Sequence, residues 1–190
     1  MSREEEWDEL VNNIKSSPCG QMFPGTKCVI GRGSLSPRVV FVGEAPGAEE
    51  DKQGLPFVGR SGKLLDEWVS WLGLSEDEVY ILNVLKCRPP GNRDPSKEEV
   101  AVCEPYLQKQ LDFLSPDVVV AVGRFAMKYF FPKMKAITRE SGQLIDGKYF
   151  VTPHPSYFLR RGGSGWEEYL EELRLFLGGE VVVEKQKRLV

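Results

Sequence analysis

The sequence predicts an α/β domain of three layers, α/β/α, with helices on both faces of a central, mainly parallel four-stranded sheet. Four short apolar runs rich in β-branched residues read as buried strands, helical segments separate them, and Gly, Pro or Asn residues follow several of them. Strands that alternate with helices in this way are typical of a parallel sheet covered on both faces. The 190 residues fit one domain, 1–190, that can bury a core without disulfides.

The first half of the chain contains two helices and two strands. An amphipathic helix is expected over residues 4–15, where apolar residues recur at helical spacing. The stretch 17–36 is rich in Gly and Pro and has little apolar pattern, so another feature must order it. The run 38–43 is a short β-branched strand that stops at a glycine. A helix over 62–73 and a second buried strand over 79–85 follow.

The second half continues the alternation. A helix over 96–114 begins with Ser96-Lys-Glu-Glu99, the pattern of a capping box. The remaining predicted elements are a strand over 117–122, a helix from Gly123 to about Phe130, a strand over 149–152 and a last helix over 166–177. Residues 181–190, within a possible short tail 180–190, are either a strand or a frayed end.

Composition and charge restrict the function only a little. A formal net charge of −3 gives no sign of nucleic acid, but affinity for phosphate depends on a local basic patch, so DNA is neither supported nor excluded. No apolar run approaches the ~20 residues that span a bilayer, and the acidic first ten residues are not a signal peptide. No membrane association and a cytoplasmic location are therefore expected.

The cysteines favour a metal centre. Thiols stay reduced in the cytosol, so Cys19, Cys28, Cys87 and Cys103 are better interpreted as metal ligands than as disulfides. Two of them lie in the 17–36 stretch, which has no other means of ordering itself. Four buried free thiols are the alternative. Four thiolates suit zinc or an iron–sulfur cluster, and the spacing does not choose between them.

The polar residues that carry chemistry follow the predicted strands. In open α/β sheets the ligand lies beyond the carboxyl ends of the strands. These ends carry Gly43-Glu-Ala-Pro-Gly47, Asn83, Gly123-Arg124 and His154, so we expect one functional rim. A phosphate-binding loop, and with it a nucleotide-binding domain, is disfavoured because no Gly-Lys-Ser/Thr follows the first turn and acidic residues do.

Each candidate side chain also has an ordinary structural interpretation. Phe57 is a core residue or a platform on which a flipped base stacks. Asn83 braces a loop, or its amide matches the N3–H and O4 edge of uracil. His154, the only histidine, is structural, or donates a hydrogen bond to an oxygen that gains charge. The segment from Tyr157 to Arg161 is a helix end, or a loop that wedges between bases while arginines hold phosphates.

Four blocks of this sequence resemble the successive motifs of family 4 uracil-DNA glycosylases. They appear in the family's order, and the resemblance covers roughly residues 19–177. The blocks are Gly43-Glu-Ala-Pro-Gly-Ala-Glu-Glu-Asp51, Leu55-Pro-Phe-Val-Gly-Arg-Ser-Gly-Lys-Leu-Leu65, Asn83-Val-Leu-Lys-Cys-Arg-Pro-Pro-Gly-Asn-Arg93 and His154-Pro-Ser-Tyr-Phe-Leu-Arg160. The Asn-x-x-Lys-Cys-Arg-Pro-Pro-x-Asn-Arg block followed by another cysteine is the most specific.

The resemblance implies a DNA repair enzyme that hydrolyses the N-glycosidic bond of uracil and leaves an abasic site. It assigns base recognition to Phe57 and Asn83, and bond cleavage to Glu44 and His154. The Ala45 backbone and the Glu50 side chain would line the pocket and help to exclude the thymine methyl, and Gly43 would also belong to the substrate-binding residues. The DNA-binding residues would be Ser156, Tyr157, Arg160 and Arg161. The four cysteines would hold a 4Fe–4S cluster that braces the DNA-facing loops, with zinc as the alternative.

Three features qualify or extend the resemblance. Eight residues separate Cys19 from Cys28, whereas the family usually has Cys-x-x-Cys, so the geometry of this half is open. Ala45 stands where glycosylases of the best-known family carry a water-activating aspartate, which leaves Glu44 as the candidate. A relative that traps uracil-DNA covalently has an extra basic loop with a histidine after the Phe block. Here Gly59-Arg-Ser-Gly62 has no insertion, which favours turnover.

The expected partner is uracil-containing DNA, single- or double-stranded, and the expected state is a monomer. A replication clamp could contact the 181–190 tail. The alternative function, from another class, is a non-catalytic DNA-binding or iron–sulfur protein that keeps the same fold.

Overall fold

The computed structural model describes residues 1–178. Its strands are β1 (Arg32–Gly33), β2 (Val39–Gly43), β3 (Val79–Asn83), β4 (Val118–Val122), β5 (Leu144–Ile145) and β6 (Tyr149–Thr152). Its α-helices are α1 (Arg3–Ser16), α2 (Ala48–Gln53), α3 (Arg60–Trp71), α4 (Lys97–Leu114), α5 (Arg124–Phe130), α6 (Ile137–Glu140), α7 (Pro155–Leu159) and α8 (Glu167–Phe176). The predicted tail 181–190 lies outside the described residues.

The sheet has six strands in the order β1-β3-β2-β4-β6-β5. The four central strands are parallel, as predicted, and confirm the α/β class. The prediction of four strands was too low, because β1 and β5 pair antiparallel at the two edges. Each edge strand has two residues, which is too short for a periodic pattern to be visible in the sequence.

Helices cover both faces of the sheet, and the strand residues alternate between two cores. Val39, Phe41 and Ile81 pack with α3 and α8 on one face. Val40 and Leu82 pack with α1 and α4 on the other face. All five residues of β2, β3 and β4 are buried, which is the burial expected of central parallel strands.

Several element boundaries differ from the predictions. Strand β3 ends at Asn83 instead of residue 85, and α3 begins at Arg60 instead of residue 62. The short helices α2, α6 and α7 were not predicted as separate elements. The capping box of α4 is confirmed, since the Ser96 hydroxyl accepts the Glu99 N–H and the Glu99 carboxylate accepts the Ser96 N–H.

No helix within residues 1–178 combines the length and the apolar character needed to cross a bilayer.

Candidate active site

The register of the parallel strands gathers the predicted site residues at one edge of the sheet. Gly43 at the end of β2 lies beside Asn83 at the end of β3. Val122 at the end of β4 lies beside Thr152 at the end of β6. Beyond these pairs, the N–H of Gly123 donates to the Thr152 carbonyl at 2.8 Å. The turn after β2, the amide of β3 and the loop after β6 therefore meet at the carboxyl ends.

A cavity of about 750 Å³ opens at this edge. This volume falls within the range usual for small-ligand sites, ~300–1,000 Å³. Eight of the side chains predicted from the sequence line it together. They are Glu44, Ala45, Glu50, Phe57, Asn83, His154, Ser156 and Arg160.

The Phe57 ring forms one wall and is held by an unusual backbone. Phe57 has φ +50°, in the left-handed region, which costs a non-glycine residue about 1–3 kcal/mol. Its side chain is only 6% exposed, and its ring centroid lies 5.7 Å from that of His154 with 32° between the planes. The strained backbone and close neighbours fix the aromatic face relative to the rest of the cavity.

Asn83 and Gly43 belong to one packed unit beneath that wall. Asn83 is 3% exposed and lines the cavity. A Cβ at Gly43 would lie 2.4 Å from the Asn83 Oδ1 and 2.6 Å from the Phe57 Cε2. Gly43 does not line the cavity itself, and its missing side chain leaves room for the two that do. A buried amide that borders a cavity is suited to pair with a polar ligand.

His154 is neutral and has a defined tautomer. Burial, assisted by the nearby Arg160 charge, lowers the pKa of His154 to about 4. The Ser156 N–H donates to Nδ1 at 3.2 Å, and the Ser156 hydroxyl lies 2.9 Å from the same atom. Since Nδ1 accepts, the proton of the neutral ring is on Nε2. His154 therefore offers one neutral N–H donor at the cavity.

Glu44 also lines the cavity, near the ion pair of Arg124 and Asp94. The sequence predicted Arg124 at this edge of the sheet but not Asp94. Burial raises the pKa of Glu44, the Asp94 charge raises it further, and the Arg124 charge lowers it. The Arg124 Nη2 lies 2.8 Å from the Asp94 Oδ2. A carboxylate with a raised pKa is a better proton acceptor than an ordinary one.

Glu50 and the turn after β2 close another side of the cavity. A Cβ at Gly47 would lie 2.7 Å from the Glu50 Oε2, so the carboxylate folds back over the start of α2. Ala45 lines the same side with its short side chain. Two further hydrogen bonds join the end of β2 to the segment after β3. The Val84 N–H donates to the Gly43 carbonyl and the Leu85 N–H donates to the Glu44 carbonyl, both at 3.0 Å.

The segment after His154 is a short helix and not a loop. Phe158 is 2% exposed and packs in the core, so it is not available as a wedge between bases. Arg160 lines the cavity and donates to the Ser156 hydroxyl at 3.3 Å. Tyr157 and Arg161 lie outside the cavity lining, where Arg161 Nη1 donates to the Tyr157 hydroxyl at 2.7 Å.

Three polar residues of the cavity lining were not predicted as site residues, although Ser61 and Asn92 lie within the motif blocks of the sequence. Ser61, Asn92 and Asp94 line the cavity but were not among the candidate site residues. They lie in connecting segments or at a helix start, where no periodic pattern distinguishes them. Asn92 and Asp94 follow the end of β3 by nine and eleven residues, and this position after a central strand is the feature of the sequence that could have indicated them.

The four cysteines lie together, and one of them, Cys87, follows the end of β3 by four residues. Cys19 and Cys103 are joined as a disulfide with their Cα atoms 5.0 Å apart, and Cys28 and Cys87 are free. Cys28 and Cys87 are hydrogen-bonded through their side chains, and the Cys87 Sγ is 3.4 Å from the Cys19 carbonyl. The hydrogen bond with Cys28 is the main cause that lowers the pKa of Cys87 to about 6.

The four sulfur atoms are donors that suit a shared metal centre, but in this arrangement they are not placed around one metal position. With Cys19 and Cys103 joined, no three or more histidine, cysteine or acidic side chains within 1–178 are placed to hold one ion. Cys19, Cys87 and Cys103 are fully buried. In a reducing compartment, two electrons from cellular thiols reduce the Cys19–Cys103 disulfide to two thiols, which adds two potential ligands to Cys28 and Cys87. Four sulfur donors at one place are the set that zinc and iron–sulfur clusters use.

Lys86 lies between the cysteines and the cavity. It is fully buried, and its Nζ donates to the Asn83 carbonyl at 2.6 Å. Its own carbonyl accepts the Val29 N–H at 2.7 Å. Lys86 thus joins the end of β3 to the cysteine-bearing stretch.

The cavity can bind a small planar ring with a polar edge. An aromatic face, an amide that both donates and accepts, a neutral N–H donor and a basic carboxylate surround one space. Such a set can stack a ring, pair with its edge, stabilise charge on its oxygen and take a proton from water.

Comparisons with known proteins agree with this geometry. A family model described as the uracil DNA glycosylase superfamily matches residues 30–174. A type-4 uracil-DNA glycosylase of Thermotoga maritima is 46% identical over 84% of this chain and 87% of the relative. The type-4 enzyme of Archaeoglobus fulgidus is 40% identical over 97% of this chain and 98% of the relative. A type-5 enzyme of Pyrobaculum aerophilum is 32% identical over 65% of this chain and 63% of the relative.

Proposed function

The chain belongs to the uracil DNA glycosylase superfamily and resembles its type-4 members over most of its length, and on this basis we propose that it excises uracil from DNA. The product is an abasic site and free uracil. One observation carries the proposal: Phe57, Asn83 and His154 all face a single cavity at the carboxyl edge of the sheet.

The base is recognised after it leaves the duplex. A nucleotide extruded into the cavity stacks on the Phe57 ring, and extrusion costs least at a mismatch or in single-stranded DNA. The Asn83 amide accepts from uracil N3–H and donates to O4, so one buried side chain reads both groups of this edge. Cytosine presents the reverse pattern and leaves the buried amide unsatisfied, which is the basis of strong discrimination.

Bond cleavage follows from the charges at the two ends of the glycosidic bond. As the C1′–N1 bond breaks, its electron pair moves into the uracil ring and onto O2, where the His154 Nε2–H donates a hydrogen bond. The sugar becomes cation-like, and water adds at C1′. Glu44 takes the proton of this water, which its raised pKa favours. Ala45 and Glu50 occupy the side of the pocket where the methyl group of thymine would lie.

The cysteines support the proposal of a 4Fe–4S cluster, with zinc as the alternative. Cys19, Cys28, Cys87 and Cys103 would hold it, and it would brace the segment before β1 and the chain after β3. Bound there, the cluster supplies a structural anchor and no redox step. A reducing compartment, such as the cytoplasm, keeps the sulfurs available to the metal.

The test is release of uracil from a labelled oligonucleotide that contains one deoxyuridine, followed by alkali to cleave the abasic site. Wild type is expected to cut this strand and not its thymine counterpart. Asn83→Ala is expected to lower the rate at least about 100-fold, since the edge-reading group is lost. Asn13→Ala, an exposed asparagine on α1, is the matched control and keeps the wild-type rate.

Two outcomes contradict the proposal. Full activity of Asn83→Ala means that the cavity is not the base pocket. Binding of the uracil strand without any cleavage favours the alternative, a non-catalytic uracil- or DNA-binding protein of the same fold.

A further inference from the structure

Arg32 lies outside the cavity lining but contacts the segment that carries Phe57. It stands on edge strand β1, where it pairs with Ile81, two residues before Asn83 on β3. Its Nε donates to the Pro56 carbonyl at 3.1 Å, and its Nη2 donates to the Phe57 carbonyl at 3.4 Å. The same Nη2 lies 2.6 Å from the Asp66 Oδ1 on α3.

The contacted segment needs external support. Phe57 has a left-handed backbone, with φ +50°, that a phenylalanine rarely adopts without a restraint. On the side of α3, a Cβ at Gly62 would lie 1.7 Å from the Phe57 carbonyl oxygen, so the helix is in direct contact with this turn. Arg32 restrains the same carbonyl and its predecessor from the side of β1. The Phe57 backbone is thereby held between an edge strand and a helix.

We propose that Arg32 is a positioning residue for base stacking, which acts through the backbone of Phe57 to set the angle of its ring. The inference rests on the proposed function. Arg32 touches neither the base nor the reacting atoms. Asp66 orients the guanidinium, so that its planar fork faces the two carbonyls.

The simpler alternative is that Arg32 only ties β1 to α3 through an ion pair with Asp66. The Asp66 side chain is 55% exposed, and exposed pairs of this kind contribute little. The two alternatives differ in one respect that can be measured. A positioning role requires that the effect of Arg32 depends on the Phe57 ring, whereas a tie between elements does not.

The experiment measures uracil release under single-turnover conditions, with enzyme in excess, for wild type, Arg32→Ala, Arg32→Lys, Phe57→Ala and the double variant Arg32→Ala/Phe57→Ala. The matched control is Arg38→Ala. Arg38 also donates to a backbone carbonyl, that of Leu177, and lies near two carboxylates, but at the opposite ends of the strands. Thermal unfolding of each variant reports on folding.

Arg32→Ala is expected to raise the enzyme concentration for half-maximal rate by roughly 5- to 150-fold, the range of one aromatic–base stack. The maximal rate should stay within roughly threefold, because stacking stabilises the bound base before and during cleavage alike. For Arg32→Lys, which keeps a single donor group, the enzyme concentration for half-maximal rate should fall between those of wild type and Arg32→Ala. On the Phe57→Ala background, Arg32→Ala should add less than about twofold, since additivity fails for residues that act through each other.

The proposal is overturned if Arg32→Ala stays within about twofold of wild type, or if the two single effects multiply in the double variant. It is also overturned if Arg38→Ala produces the same change in half-maximal concentration. Should Arg32→Ala not fold, the same comparison is made with Arg32→Lys on both backgrounds. An inactive wild type contradicts the proposed function instead, so the two failures are distinguishable.

Discussion

At the scale of single residues, His154 is the clearest case in which the environment decides the chemistry. A free imidazole is half protonated near pH 6.5, yet burial lowers the pKa of His154 to about 4. The ring is therefore neutral at pH 7, and the Ser156 N–H, which donates to Nδ1, fixes this atom as the acceptor. A neutral N–H donor suits an oxygen whose negative charge develops only during cleavage, because its hydrogen bond to that oxygen strengthens as the charge appears.

This state of His154 can be observed directly. The chain has one histidine, so ¹⁵N-labelled histidine gives a single pair of ring signals in a sample without a histidine tag. We expect the Nε2–H tautomer from pH 5 to 8, with a midpoint of titration near 4. A midpoint near 6.5, or an Nδ1–H tautomer, would contradict the assignment of His154 as a neutral donor.

The same shift has a consequence for stability. Between pH 6.5 and about 4 the unfolded chain binds a proton at His154 that the folded chain does not. Stability therefore rises with pH across this window and is lost as the pH falls. His154→Gln should flatten the dependence of the free energy of unfolding on pH in that window, as measured by urea unfolding at each pH. An unchanged pH profile would show that His154 is not buried as a neutral ring.

Gly43 gives a second prediction at this scale. Its backbone is ordinary, so Gly43→Ala introduces a purely steric change, which displaces the Asn83 amide and the Phe57 ring. We expect uracil release to fall at least about 100-fold, as in the loss of a base-reading group, with only a small drop in melting temperature.

Gly73 after α3 is the reciprocal control. It has φ +75° and open space around its α-carbon, so Gly73→Ala should cost about 1 kcal/mol of stability and leave the rate unchanged. Equal losses of activity in both variants would show that the Gly43 effect is not specific to the cavity.

At the scale of elements, the sequence predicted what is long and periodic and missed what is short. The four parallel strands and the helices α1, α3, α4, α5 and α8 follow from apolar periodicity. Strand β1 has two residues and α2 has no buried residue, so neither leaves a pattern. Phe57, Asn83 and His154 were found because parallel strands bring their carboxyl ends together. Arg32 contacts the Pro56 and Phe57 carbonyls and Asp94 contacts Arg124, so in both cases the partners lie more than twenty residues apart and spacing along the chain does not reveal the contact.

The stretch between α1 and β1 is the element that depends most on its cysteines. It contains no helix or strand. It is held by the Cys19–Cys103 and Cys28–Cys87 pairs and by hydrogen bonds from the Val29 N–H to the Lys86 carbonyl, from the Lys27 N–H to the Asp51 carboxylate and from the Gln110 amide to the Ile30 carbonyl. A Cβ at Gly20 would lie 2.2 Å from the Ile14 carbonyl, so the chain packs closely against the end of α1. Two of the four cysteines lie in this stretch, so loss of the cysteine pairs would remove restraints near both of its ends and leave the residues between Cys19 and Cys28 with more conformational freedom.

Protein purified under anaerobic, reducing conditions should contain about four irons per chain and absorb broadly near 400 nm, whereas zinc would give no such band. Cys103→Ser should lower the iron content and make residues 17–31 sensitive to protease, as located by mass spectrometry of the fragments. Ser96→Ala, at the start of the same helix, removes a cap of about 1 kcal/mol and should leave the iron content unchanged. Full iron in Cys103→Ser would remove Cys103 from the ligand set.

At the scale of the whole molecule, the acidic side chains of the cavity and the arginines near it are suited to different parts of the DNA, the neutral base and the charged phosphates. The net charge is −3, and the cavity lining has three acidic residues, Glu44, Glu50 and Asp94, against two arginines, Arg124 and Arg160. An acidic interior accepts a neutral base and repels phosphate, so the backbone of the DNA must be held at the rim. Arg124 is already paired with Asp94, and Arg160 is exposed with only the Ser156 hydroxyl as an acceptor among the described residues.

This division predicts how binding responds to salt. Each phosphate that a cation neutralises contributes about 0.9 to the slope of log K against log salt on duplex DNA. Arg160→Ala should therefore reduce the slope by about 0.9 and weaken binding to uracil and control duplexes alike. Arg139→Ala removes the same charge from α6, away from the cavity lining, and should leave the slope unchanged. The measurement is the dissociation constant by fluorescence anisotropy at several salt concentrations. If Arg160→Ala weakens only the uracil duplex, at a constant slope, then Arg160 reads the base pocket through Ser156 and His154 and not the phosphate.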